Sequence, residues 1–284
     1  MAAPLLAVDA PSLLYRAFFA LPKSITDKDG QPVNALLGTL NMVFRVVADR
    51  SPRAVVMCFG VDAADYRVDL YDGYHAERPP VPDELAPQFD DAAAFFGAFG
   101  WYCHGHHSLE ADDLLGAYAR AEADAGGDAL LLTGDRDMFQ CVDDRVHVLY
   151  VRTGSKVEEI DAAEVRKRYG VPPELVPDFI ALRGDPSDGL PGAKGIGEKT
   201  AADLLQRNGS LEAAMDNWSR ERPARVAGAL RDQREELERY KRIATLTEVE
   251  VERPPDTPTD FAGGAEAARE RGMQRLAERL EKAQ

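Results

Sequence analysis

Short apolar runs separated by longer stretches of helical spacing constrain this chain more than any other feature. Residues 5–8 (LLAV), 54–59 (AVVMCF), 129–132 (ALLL) and 146–151 (VHVLYV) read as strands, with 101–103 (WYC) as a weaker fifth. Such runs are too short for a core helix and too continuous for a strand with one wet face. Between them, 35–48, 83–99 and 111–123 carry apolar residues three and four apart, the period of an amphipathic helix. Strand and helix in alternation predict an α/β fold, a parallel sheet flanked by helices, over residues 1–155. Beyond Lys156 the strand signal fades. Helical stretches at 162–169, 173–182, 198–206 and 222–245 predict a smaller helical domain over 156–255, and 256–284, ending EAARERGMQRLAERLEKAQ, reads as a peripheral helix.

With 284 residues, 45% of them hydrophobic, the chain can bury a substantial core. No apolar run approaches the roughly 20 residues of a membrane span, and 4–8 is too short for a secretory signal. A cytoplasmic location with no membrane partner is expected. Cys58, Cys103 and Cys141 are odd in number and widely spaced, which predicts reduced thiols. The CHGHHS stretch at 103–108 has poor spacing for one tetrahedral zinc site and reads as a surface turn. A net charge of −15 argues against nucleic acid only if the charge is spread evenly. Carboxylates gathered around divalent cations would present a positive site despite the count.

Acids do cluster where such a sheet binds ligands, beyond the carboxyl ends of its strands. Asp9 follows LLAV, Asp135 and Asp137 follow LLLTG, and Asp62 follows VVMCFG. Glu110, Asp112 and Asp113 open a helix in LEADDLL, and Asp185 and Asp188 stand in GDPSDGLPGAKGIGEKTA. Singly, helix capping explains several of them. Together they would repel by up to about 4 kcal/mol per close pair at an effective dielectric of 20. Bound cations remove that cost. An oxygen-only donor set suits Mg²⁺ or Mn²⁺, and two such ions about 4 Å apart serve phosphodiester cleavage. The glycine-rich stretch is not a phosphate loop of the Walker type, because Glu198 separates Gly197 from Lys199 and Thr200.

LLAVDAPSLLYRAFFAL, DLYDGYHAERPP, LEADDLLG, LLTGDRDMFQ and GDPSDGLPGAKGIGEKTA resemble, in order and spacing, the bacterial 5′-to-3′ exonuclease and flap endonuclease family, over roughly residues 4 to 250. The resemblance implies a PIN-like or resolvase-like sheet with a C-terminal helix-three-turn-helix domain. By it, Asp9, Glu110 and Asp112 are ligands of a first ion, and Asp135, Asp137 and Asp188 of a second. Asp113 and Asp185 lie close by, acting through water. Arg16, Arg67 and Arg78 are phosphate-binding candidates, with Asp9, Arg16, His75 and Arg78 as the catalytic set, and no protein nucleophile is needed. Residues 66–90 correspond to an arch or gateway, where Tyr74 would meet DNA. Lys194, Gly195, Ile196, Gly197, Lys199 and Thr200 would grip a duplex phosphate around a K⁺ ion. Two positions depart from the family. Gly60 stands where it has a metal-binding aspartate, leaving Asp62 as a substitute within about 7 Å of extended chain, and His75 stands where lysine is common. The implied partner is DNA with 5′ ends, flaps or duplex-to-single-strand junctions, or an RNA primer on DNA, bound by a monomer. The alternative implied by Gly60 is a catalytically weakened protein that binds flaps or junctions.

Overall fold

The computed structural model describes residues 3–152 and 156–283. Five strands, β1 (Leu5–Asp9), β2 (Ala54–Phe59), β3 (Tyr102–Gly105), β4 (Ala129–Thr133) and β5 (Val146–Val151), run parallel in one sheet. A sixth, β6 (Val157–Ile160), lies antiparallel to β5, and the spatial order is β3-β2-β1-β4-β5-β6. The apolar pattern predicts no strand past 151. β6 escapes it because Val-Glu-Glu-Ile neither alternates nor stays apolar, and an edge strand tolerates charged residues. The expected boundary after residue 155 falls at 153–155, outside the described residues.

Helices α1 (Ala10–Ala20) and α2 (Asn34–Arg50) join β1 to β2, α3 (Asp65–Leu70) and α4 (Ala86–Gly97) lie between β2 and β3, and α5 (Ala111–Asp124) leads to β4. α1 follows β1 without a turn, because Asp9 ends the strand and caps the helix in one step, Oδ1 accepting the Ser12 N–H at 3.0 Å. Alternate residues of β1 feed two cores, as period 2 requires. Leu5 and Ala7 pack with Leu114 and Leu115 of α5, whereas Leu6 and Val8 pack with Leu13 of α1, Leu40 of α2 and Phe96 of α4. Both faces of the sheet are therefore covered.

The helical part comprises α6 (Ala162–Tyr169), α7 (Val176–Arg183), α8 (Glu198–Asn208), α9 (Leu211–Asp216), α10 (Ala224–Asp232) and α11 (Arg234–Ala244). Two expected helices are divided. A 3₁₀ turn over Pro173–Leu175 precedes α7, and the stretch 222–245 breaks at Gln233, whose Oε1 accepts the Lys194 N–H at 2.8 Å. The terminal segment is not peripheral. Its helices α12 (Phe261–Glu270) and α13 (Gln274–Glu281) return to the first domain and place Ala268, Leu276 and Leu280 in the same core as α1 and α2. The connecting strap is pinned at buried Glu122, which accepts from Arg53 Nε at 3.0 Å and Arg253 Nε at 2.8 Å. Among the described residues, no helix is long and apolar enough to cross a membrane.

Candidate active site: a carboxylate cavity at the switch point of the sheet

From β1 the chain moves outward through β2 to β3 and then returns to the other flank of β1 as β4. The strand order thus reverses between β1 and β4, and an open sheet leaves a crevice beyond the carboxyl ends at such a point. A cavity of about 580 Å³ opens there, with Asp9, Glu110, Asp112, Asp135, Asp137 and Asp188 in its wall. Asp9 and Asp135 come from the two strand ends and share one holder. The Thr133 hydroxyl donates to Asp9 Oδ2 at 2.6 Å and accepts the Asp135 N–H at 2.9 Å. Asp135 Oδ1 in turn accepts the Asp137 N–H at 2.8 Å. Thr133 carried no signal in the sequence beyond ending an apolar run.

Burial and mutual charge strain these acids. Burial raises the Asp9 pKa above the ordinary carboxylate value. Asp112 is pushed well above that value by burial and then by Asp135, Asp9 and Glu110. Burial, then Asp135, Asp188 and Asp185, do the same to Asp137, and burial followed by Asp188 brings Asp135 to about 6. Asp135 is thus the charged neighbour that Asp112 and Asp137 share. Among the described residues, no three acidic, His or Cys side chains are closed around one ion-sized point. The donors are all oxygen, and Asp112, Asp135 and Asp137 keep lone pairs toward the cavity, so the set fits hard divalent cations such as Mg²⁺ or Mn²⁺.

Several expected roles need correction. Arg67 is 3% exposed, with Nη2 donating to Asp113 Oδ1 at 2.8 Å and Nε to the Ile243 carbonyl at 3.0 Å, so it has no free donor face for phosphate. Burial opposes its charge, but the carboxylates of Glu110 and Asp113 outweigh burial and raise its pKa. Asp113 is wholly buried and also accepts the Thr247 N–H at 3.0 Å, so it ties the strap to α5 instead of facing an ion. Tyr74 is buried, its hydroxyl donating to Glu110 Oε2 at 2.9 Å, and it offers no ring face to a base. Asp185 lies outside the cavity wall, held by Arg183 Nη2 at 2.9 Å. His75 is buried as well, with Nε2 3.2 Å from Asp188 Oδ1, so it faces a carboxylate and not an open phosphate position.

A Cβ at Gly60 would stand 2.5 Å from each of Leu109 O, Glu110 C and Ala111 N. The start of α5 occupies the space an aspartate would need there. Asp62 is exposed at the cavity rim, 3.4 Å from Arg78 Nη1. Of the glycine-rich stretch, Lys194, Gly195, Gly197 and Lys199 are exposed, Ile196 is buried and Thr200 half-buried, all at the start of α8 and outside the cavity wall. Gly195 has φ 77°, where a side chain would be strained. The CHGHHS residues do not converge: His104 Nδ1 pairs with the Tyr118 hydroxyl at 2.8 Å, and Cys103 Sγ reaches the Ala93 carbonyl at 3.4 Å.

Gly134 is a functional residue that motif reading passes over. Its φ is not in the left-handed region, yet a Cβ there would lie 1.8 Å from Arg16 Nε and 2.2 Å from Cζ. The guanidinium rests on the bare backbone, with Nη2 donating to the Gly134 carbonyl at 2.6 Å, and so points into the cavity beside Asp9.

Two predictions follow from this geometry. An acid whose pKa is raised on folding binds protons more tightly folded than unfolded, so its contribution weakens as pH rises from about 4 through 6. In EDTA, Asp135→Asn should gain about 1–3 kcal/mol over wild type at pH 7.5 and little at pH 4. Equal melting temperatures of the two proteins at pH 7.5 would show that the acids do not repel. Gly134→Ala should cost about 1–2 kcal/mol in the wild-type background and almost nothing with Arg16→Ala. Equal losses in both backgrounds would mean that the new methyl meets something other than Arg16.

Known families and structures bear on this arrangement. Residues 4–170 match the family model of the 5′-3′ exonuclease N-terminal resolvase-like domain, and 171–260 that of the 5′-3′ exonuclease C-terminal SAM fold. A 5′-3′ exonuclease of Mycobacterium tuberculosis is 36% identical over 100% of this chain and 98% of its own length, and one of Streptomyces coelicolor is 40% identical over 90% of each. DNA polymerase I of Mycobacterium bovis is 38% identical over 89% of this chain, which spans only 28% of that protein. Among solved structures, the bacteriophage T5 flap endonuclease, in a pseudo-enzyme–product complex with DNA and metal ions, aligns with TM-score 0.71 at 16% identity over 98% of each chain. The catalytic core of Rad2 in complex with DNA substrate aligns with TM-score 0.61, also at 16% identity, over 98% of this chain and 90% of that one. With both family models matched in sequence order over one carboxylate-lined sheet, the chain belongs to the 5′-3′ exonuclease family.

Proposed function

We propose that this protein hydrolyses DNA phosphodiesters from 5′ ends and at 5′ flaps, using two or more Mg²⁺ or Mn²⁺ ions. The observation that carries the reading is the set of seven carboxyl groups, Asp62 at the rim included, that line one cavity at the switch point and whose repulsion a divalent cation would offset. Asp112, Asp135 and Asp137 would hold the ions, with Asp9, Glu110 and Asp188 as further donors. When bound, such ions lower the pKa of water and offset the charge that develops on the phosphate.

The remaining roles belong to side chains of this chain. Arg16, fixed on Gly134, would meet a phosphate oxygen from the β4 side. Arg78 approaches Asp62 and Asp188 no closer than 3.3 Å, so it can turn to a phosphate at small cost. Tyr15 and Phe89 line the same cavity with ring centroids 5.6 Å apart, and their faces suit an unpaired base where Tyr74 cannot serve. The exposed turn before α8 would hold duplex backbone, with Lys194 and Lys199 as cations and a K⁺ ion among the carbonyls of 195–197. The partner would be DNA with a flap or junction, bound by a monomer in the cytoplasm, where the three free cysteines stay reduced.

Incubation of a labelled 5′-flap duplex with Mn²⁺ or Mg²⁺ should release products that EDTA abolishes. Asp112→Asn should slow release on the order of 10²-fold or more. Tight binding of the flap without cleavage under either ion would sink the hydrolytic reading and leave the flap-binding alternative raised by Gly60.

A further inference from the structure

Two neighbouring residues of the segment between α3 and α4 hold carboxylates on opposite sides of the cavity. The Tyr74 hydroxyl donates to Glu110 Oε2 at 2.9 Å, at the start of α5. His75, the next residue, reaches Asp188 Oδ1 through Nε2 at 3.2 Å, in the loop after α7. Its Nδ1 lies 2.7 Å from the Asp62 carbonyl, so both ring nitrogens face oxygen atoms and the plane of the imidazole is fixed. The two rings stack with centroids 3.9 Å apart and planes 19° from parallel. One packed pair thus bridges the two carboxylates.

Backbone contact reinforces the link. The His75 N–H donates to the Asp188 carbonyl at 3.1 Å, and a Cβ on Gly189 would fall 2.4 Å from the Gly73 carbonyl oxygen. His75 also takes φ 54°, a conformation uncommon outside glycine, which the surrounding bonds must hold. Such a latch is more than a surface turn needs. We propose that Tyr74 and His75 are positioning residues: they orient Glu110 and Asp188 toward the ions and couple ion binding to the order of segment 71–81. The proposal rests on the metal-dependent reading above. Coupling of this kind is reciprocal: ions that fix the carboxylates stiffen the segment, and loosening the pair weakens ion binding. Neither residue need touch substrate.

The test uses the full-length protein and Mn²⁺ alone, without DNA. Calorimetry measures the Mn²⁺ affinity of wild type, Tyr74→Phe, His75→Ala and His75→Asn, and hydrogen exchange follows residues 71–81 with and without the ion. Tyr74→Phe keeps the ring and its stacking, so the fold is preserved, and melting in EDTA confirms it for each variant. Mn²⁺ should slow exchange across 71–81 in wild type. Tyr74→Phe and His75→Ala should each weaken Mn²⁺ binding about 10-fold or more, as loss of a ligand's supporting partner does. His75→Asn, which keeps a donor and tolerates the left-handed backbone, should recover part of that loss. Wild-type affinity in folded variants, or exchange across 71–81 that ignores bound Mn²⁺, would overturn this proposal while leaving metal binding intact. Failure of the wild type to bind Mn²⁺ would remove the metal-dependent reading and this proposal with it.

Discussion

Repulsion among the carboxyl groups at the ends of β1 and β4 is the constraint on which the rest of the site depends. Burial raises the pKa values of Asp9, Asp112, Asp135 and Asp137, and at the last three neighbouring carboxylates raise them further. Three acids of the cavity wall are held by neutral or basic groups behind them. Thr133 and the first turn of α1 hold Asp9, Tyr74 holds Glu110, and His75 and Arg78 hold Asp188. The two hydrophobic cores on the faces of the sheet supply the stability against which such a strained cluster is tolerated.

The same arrangement joins the sheet to the helical part. Arg67 and Asp113 pair in the interior, yet Arg67 also binds the last turn of α11 at Ile243 and Asp113 the chain just beyond it at Thr247. Gln140, just past the Asp135–Asp137 turn, donates to the Ala244 carbonyl and accepts the Leu246 N–H. Residues that the family resemblance associates with phosphate or metal thus brace the cavity against the neighbouring unit.

Much of this was legible from the sequence. The apolar runs located five of the six strands, because continuous burial on both faces leaves a mark no loop imitates. The acids after LLAV and LLLTG were placed at the right end of the sheet by connectivity alone. What could not be read were roles that depend on which way a side chain turns. Arg67, Tyr74, Asp113 and His75 stand in the expected motifs but face inward, and no spacing rule distinguishes an arginine on phosphate from one on a buried aspartate. Gly60 and Gly134 are matters of close approach, visible only once Ala111 and Arg16 are seen beside them. β6 and the terminal helices α12 and α13 were obscured by glutamates and by a charged tail whose alanines and leucines nonetheless reach the core.

Anomalous diffraction from crystals grown with Mn²⁺ locates the ions without reference to activity. Manganese should lie in the cavity with Asp135 among its ligands and Arg67 and Asp113 still paired with each other. Manganese absent from the cavity, or bound there without Asp135, would contradict this placement.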